Sequence, residues 1–242
     1  MRIALISDLH GNELALKAVL SDIERVGVDQ LACLGDVATL GPRPQEVLSR
    51  LAALGCVCIL GNHDEFMLDP DLIRSYSEAP IIVDAVDWCR EQLSSSDREL
   101  IGRFERHHEF DLGGGASLFA FHGTPESNMT DLLATSPPGS VDTMLAGRSA
   151  TVMAGGHTHI QMLRQHRGLL LVNPGSVGLP FREYVAGAAP TVMPYAEYAI
   201  VEARDRSVAI ALHRVALDKV QLRAQATSVV HPLGAALAQM YA

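Results

Sequence analysis

Short apolar runs that stop abruptly at an aspartate, asparagine or histidine recur along this 242-residue chain. An uninterrupted apolar run of a few residues suits a strand covered on both faces, as in a parallel sheet flanked by helices. The run at 3–7 leads into Asp8 and His10, that at 31–34 into Asp36, and that at 56–60 into Asn62 and His63. Two helical stretches separate them. The first is predicted over 13–26, capped by Asn12 and ended by Gly27, with Leu14, Leu16, Val19, Leu20 and Ile23 on its apolar side. The second enters through Pro42 and Pro44 and runs to about residue 54, before Gly55. This β-α-β-α-β order implies parallel strands joined by right-handed crossovers. Ligands of such sheets bind beyond the carboxyl ends of the strands, so separate strand ends can bring Asp8, Asp36 and Asn62 to one edge.

The rest of the chain is richer in strands. Helices are predicted over 84–93 and 97–106, the latter with Ser96 and Glu99 as a capping box. Segments 110–112 and 117–121 flank Gly113-Gly114-Gly115 and read as a hairpin. Strands follow at 151–154, 161–164, 169–172, 196–201 and 208–217, then tail helices at 218–226 and 233–241. The stretch 180–194, rich in Gly, Ala and Pro, reads as a loop. His122 and His157 again follow apolar runs directly.

Composition narrows the function. Hydrophobic residues make up 48% and charged residues 19%, which suits one well-buried domain over 1–242 and excludes a disordered polymer. A net charge of -9 with no basic face argues against a generic nucleic-acid surface. It leaves a small phosphate ester open as substrate, because bound divalent ions would make the site itself positive. Cys33, Cys56, Cys58 and Cys89 read as small buried hydrophobes in a reducing compartment. The apolar start is too short for a signal peptide, and no run approaches the ~18 apolar residues of a membrane span. A cytoplasmic protein without membrane contact is expected. No sequence feature sets an oligomeric state.

The chemistry-bearing residues fall in five motifs: Asp8-Leu9-His10, Gly35-Asp36, Gly61-Asn62-His63-Asp64, His122-Gly123 and Gly155-Gly156-His157-Thr158-His159. In this order they resemble the calcineurin-like metallophosphoesterase superfamily. Asn173-Pro174-Gly175-Ser176-Val177-Gly178 extends the likeness to its small bacterial and archaeal phosphodiesterase-like members. The resemblance implies a four-layer α/β/β/α sandwich, two mixed sheets face to face with helices outside. It also implies a binuclear metal centre: Asp8, His10 and His159 on one divalent ion, Asn62, His122 and His157 on the other, and Asp36 bridging both. Mixed imidazole and oxygen donors suit Mn, Fe, Co, Ni or Zn better than Ca or Mg. Two such ions, typically ~3.5–4 Å apart, give a bridging hydroxide near neutral pH for in-line attack on phosphorus.

His63 lies outside the implied ligand set and is assigned to the leaving group. Asp64 is either a support of the ligands or a helix cap. Arg182, just after the Asn-Pro-Gly-Ser turn, is a candidate phosphate contact, as is Arg43 in Gly-Pro-Arg-Pro. His107, His108, His166, His213 and His231 match no motif and read as structural. The protein serine/threonine phosphatases of the superfamily extend Gly-Asp to Gly-Asp-x-x-Asp-Arg-Gly, whereas this chain reads Gly35-Asp36-Val37-Ala38-Thr39-Leu40-Gly41. That disfavours a protein phosphatase. The leading expectation is a phosphodiesterase. Phosphomonoester or nucleotide pyrophosphate hydrolysis remains open, and so does a non-enzymatic scaffold like the retromer subunit that shares this fold.

Overall fold

The computed structural model describes residues 1–185, 189–205 and 207–242. The chain opens with β1 (Arg2–Ile6), α1 (Glu13–Val26), β2 (Gln30–Cys33), α2 (Pro44–Leu54) and β3 (Val57–Cys58). Asn12 caps α1 by accepting from the Ala15 N–H, and Gly27 and Gly55 close α1 and α2. Four short helices follow: α3 (Asn62–Leu68), α4 (Asp71–Tyr76), α5 (Pro80–Gln92) and α6 (Ser95–Ile101). Next come the hairpin β4 (His108–Gly113) and β5 (Ala116–Ala120), α7 (Pro138–Met144), β6 (Val152–Ala154), β7 (Met162–His166) and β8 (Leu169–Asn173). The chain ends with β9 (Tyr195–Arg204), β10 (Ser207–Ala216), α8 (Lys219–Ala226) and α9 (Gly234–Met240).

Two five-stranded mixed sheets result, in the orders β10-β9-β1-β2-β3 and β4-β5-β6-β8-β7. Alternation along β1 explains the layering, because successive strand residues face opposite ways. Ile3 and Leu5 point to the second sheet and bury against Leu118, Ala120, Val152 and Val172. Ala4 and Ile6 point outward to Leu16, Val19, Leu48 and Phe66 on the helices. On the far side Phe119, Phe121, Met153 and Leu171 pack under α7. The expected α/β/β/α sandwich is therefore present, with a thin fourth layer. A separate apolar cluster seats α8 and α9 against Leu179 and Val192.

Three boundaries differ from expectation. The third strand is only two residues long, and Ile59 forms an isolated bridge with Glu105. The capping box of α6 is Ser94 and Asp97 rather than Ser96 and Glu99, because the Ser94 hydroxyl accepts from Asp97 N and the Asp97 carboxylate accepts from Ser94 N. Helices α4 and α7, six and seven residues long, carry too little apolar periodicity to announce themselves. Part of the expected 180–194 loop, residues 186–188, lies outside the described residues. Among the described residues no helix is long and apolar enough to cross a membrane.

Candidate metal centre

The carboxyl ends of β1, β2, β5 and β6 meet at one edge of the sandwich. There Asp8, His10, Asp36 and His159 each offer a ligand atom within 4.8 Å of the others, and Asp36, His122 and His157 form a second such group. The two groups share Asp36. Asn62 joins the second, its Oδ1 3.2 Å from His122 Nε2 and 3.1 Å from His157 Nδ1. All seven sequence-predicted ligands are thus brought together.

The backbone is bent to achieve this. Nine non-glycine residues among those described have positive φ, and five of them are Asp8 (54°), His10 (43°), Asp36 (58°), His157 (68°) and His159 (58°). A left-handed conformation costs a non-glycine residue ~1–3 kcal/mol, and such strain gathers at functional sites. The glycines of the motifs serve close approach. A Cβ on Gly61 would run into the Asp36 carboxylate, and one on Gly156 into the Ser7 hydroxyl.

Asn62 and His63 are not at a strand end, as the sequence suggested, but in the first turn of α3. The cause is Asp64. Its carboxylate accepts from the N–H groups of Gly61 (3.0 Å), Asp36 (2.8 Å) and Val37 (2.9 Å). It therefore starts the helix and ties it to the Asp36 loop. In return the His63 N–H donates to Asp36 Oδ1 at 2.9 Å. Burial, together with the Asp36 charge, pushes the Asp64 carboxyl up to about 7, while the backbone donors act the other way.

The donor chemistry fits cations. His122 Nδ1 donates to the Leu34 carbonyl (2.6 Å) and His159 Nδ1 to the Leu179 carbonyl (2.7 Å). Carbonyls only accept, so in the neutral rings both Nε2 atoms carry lone pairs. Yet His122 Nε2 faces Asn62 Oδ1 and, at 3.4 Å, Asp36 Oδ1, while His159 Nε2 faces His10 Nε2 at 3.0 Å and Asp8 Oδ1 at 3.4 Å. An imidazole lone pair pointed at a carboxylate or amide oxygen calls for positive charge between them. Asp8 Oδ1 is also buried without a hydrogen-bond partner among the described residues. The same frustration moves the titrations. Burial alone would lower His122, but the Asp36 and Asp8 carboxylates outweigh it and hold the ring up to about 10. Burial and the neighbouring imidazoles push His157 down to about 3, and burial lowers His10.

Several supporting residues carried no sequence signal. Thr39 Oγ1 lies 3.1 Å from His10 Nδ1, at the position where the longer phosphatase motif has its Asp. Asp131 Oδ1 lies 3.4 Å from His157 Nε2, and Asp131 Oδ2 accepts from the Tyr184 hydroxyl at 2.6 Å. Phe181 stacks on His159, with ring centroids 4.2 Å apart. His63 packs edge-on to His10 and Phe66, centroids 5.0 Å away in each case, and its buried Nδ1 has no partner among the described residues. Burial lowers its pKa, against the pull of Asp36.

The candidate arginines do not join the cluster. The Arg182 guanidinium is engaged by the adjacent Glu183, and Arg43 bonds Glu46 and Ser228. The unassigned histidines are held elsewhere: His108 by Glu105, His166 by Asp142, His213 against Tyr198, His107 against Phe119 and His231 against Trp88. All four cysteines are free thiols; Cys33 and Cys89 are buried, while Cys56 and Cys58 are half-buried with Sγ atoms 3.9 Å apart.

The calcineurin-like phosphoesterase superfamily domain matches residues 1–205. The chain belongs to that superfamily. An uncharacterised protein of Methanocaldococcus jannaschii is 28% identical over 193 residues, 74% of this chain and 76% of its own. A metallophosphoesterase structure from Sphaerobacter thermophilus is 25% identical with a TM-score of 0.76, covering 100% of this chain and 98% of its own. Zinc-complexed Vps29 from Entamoeba histolytica, 13% identical with a TM-score of 0.51 over 90% of this chain and 100% of its own, shares the fold. Superfamily and Asp/His cluster together support a metal-dependent phosphoesterase.

Proposed function

We propose that this protein hydrolyses phosphodiester bonds at a binuclear centre, with Asp8, His10 and His159 on one divalent ion, Asn62, His122 and His157 on the other, and Asp36 bridging. The observation that carries this reading is the pair of buried ligand groups that meet at a single shared carboxylate. When bound, the two ions would supply a hydroxide near neutral pH and neutralise charge on the phosphoryl oxygens.

The chain's own residues do the rest. Asp64 holds the Asp36 backbone N–H, the His63 N–H holds the Asp36 carboxylate, and Gly61 leaves room for it. Thr39, Asp131 and the carbonyls of Leu34 and Leu179 set the tautomers and ring angles of the four histidine ligands. His63, held beside Asp36 through its own backbone N–H, is placed to hydrogen-bond the departing ester oxygen. Arg182 is on the loop whose Phe181 covers His159, and contacts phosphate by exchanging its Glu183 partner for substrate.

The test is hydrolysis of bis(p-nitrophenyl) phosphate against p-nitrophenyl phosphate, after chelation and separate restoration of Mn²⁺, Ni²⁺ or Zn²⁺. Metal-dependent diester preference is expected. Monoester preference would overturn the diester assignment, and no turnover with two ions bound would point to a scaffold.

A further inference from the structure

Beside the candidate centre lies a cavity of about 270 Å³ whose wall includes His122. Arg106, His107 and Arg148 also line it, with Glu126 as the one carboxylate. Its position follows from topology. His108 pairs with Ala120 in the antiparallel β4–β5 register, so Arg106 and His107 sit at the same sheet edge that delivers His122. The arginine side chains are partly prepared for a ligand. The Arg148 guanidinium lies 5.7 Å from the Phe119 ring centroid, with no ion-pair or hydrogen-bond partner among the described residues. His107 stacks on that ring as well, centroids 5.2 Å apart. Arg106 meets Glu65 at 3.2 Å, but the arginine side chain is 75% exposed against 19% for the glutamate, so solvent screens the pair and the guanidinium is free to turn toward a ligand.

Two guanidinium forks and an imidazole against one carboxylate make an anion pocket, and planar forks match phosphate oxygens in pairs. Stacking on Phe119 reduces the freedom that Arg148 and His107 lose when a ligand arrives. The volume suits one tetrahedral anion and its attachment rather than a whole drug-sized ligand. We propose that this cavity binds a second, terminal phosphate of the substrate, so that the preferred substrates are phosphate esters carrying a further phosphate group. The proposal rests on the reading of the metal centre as the site of hydrolysis.

The experiment uses metal-loaded enzyme turning over bis(p-nitrophenyl) phosphate, with adenosine 3′,5′-bisphosphate and the two adenosine monophosphates as competitors. The bisphosphate should inhibit at about tenfold lower concentration, equivalent to about 1.4 kcal/mol. Arg148→Ala should remove that advantage. The ratio of inhibition constants is the readout, so a change in basal turnover does not confuse it. Equal inhibition by mono- and bisphosphates, or an advantage that survives Arg148→Ala, would overturn the proposal. A second arm judges the cavity apart from activity: inorganic phosphate is titrated into Zn²⁺-loaded protein while backbone amide signals are followed. Saturable shifts at residues 106–107, 124, 126–128 and 148 that vanish in Arg148→Ala support the cavity. Their absence, or their persistence in the variant, sinks it. Absence of turnover with every metal, by contrast, would count against the metal-centre reading and leave this arm to decide the cavity.

Discussion

The two ligand groups that meet at Asp36 are held by different means. In the first, Asp8, His10, Asp36 and His159 are all buried and all in left-handed backbone, and Phe181 lies over His159. Strained loops fix these donors, and the fold around them over-determines the strain. In the second, Asn62 sits in a helix and His122, with no positive φ, donates to the Leu34 carbonyl, while His157, left-handed at 68°, leans on Asp131, a partly exposed carboxylate. This group also borders the arginine-lined cavity. The first group is left-handed throughout and closed; the second mixes helical, ordinary and left-handed backbone, and its His157 leans on a partly exposed side chain. Loss of Asp131 should therefore weaken the second group and spare the first.

The largest effect is expected at the shared residue. Asp36→Asn removes the charge both groups use and should bring metal-restored diester turnover to background; retained turnover would break the account. His63→Ala should leave both ions bound yet lower kcat by ~10²–10⁴-fold, seen by pairing steady-state kinetics with a metal count. Loss of an ion in that variant would make His63 a ligand support instead. Asp131→Asn should weaken one ion by ~10–100-fold and spare the other, which competition with a chelating dye would resolve as one shifted step. Equal weakening of both steps would erase the contrast between the groups.

The smallest effect concerns stability beneath the first group. Ser176 donates its hydroxyl to the Asp8 carbonyl (2.7 Å), and the Glu197 N–H donates to the Ser176 carbonyl (2.9 Å). Burial pushes the Glu197 carboxyl from 4.5 up to about 7, despite its contact with Arg214. Folding favours its protonated form, so its contribution is full below the unfolded pKa and is lost as pH rises through the folded one. Glu197→Gln should therefore flatten the fall in urea midpoint between about pH 4.5 and 7. An unchanged slope would assign that fall elsewhere.

Much of this architecture is legible in the sequence. The apolar runs and the capping by Asn12 and Gly27 gave α1 almost to the residue, and the five motifs gave all seven donors that converge. What stayed hidden was contact between segments remote in sequence. Asp131 is 26 positions from His157 in a stretch without periodicity; Arg106 comes to the edge of His122 because β4 runs antiparallel to β5, and Arg148 joins it across Phe119. The apolar run continues to Leu60, so the sequence puts Asn62 and His63 just past a strand end. Only the bonds from Asp64 to the neighbouring loop show why a helix begins instead.

Native mass spectrometry of the chelator-stripped chain reloaded with Mn²⁺ tests the central claim most directly. The account predicts two ions per chain in the wild type, and fewer than two in Asp36→Asn. A wild-type chain that takes up one ion or none, or an Asp36→Asn chain that still holds two as tightly, would contradict it.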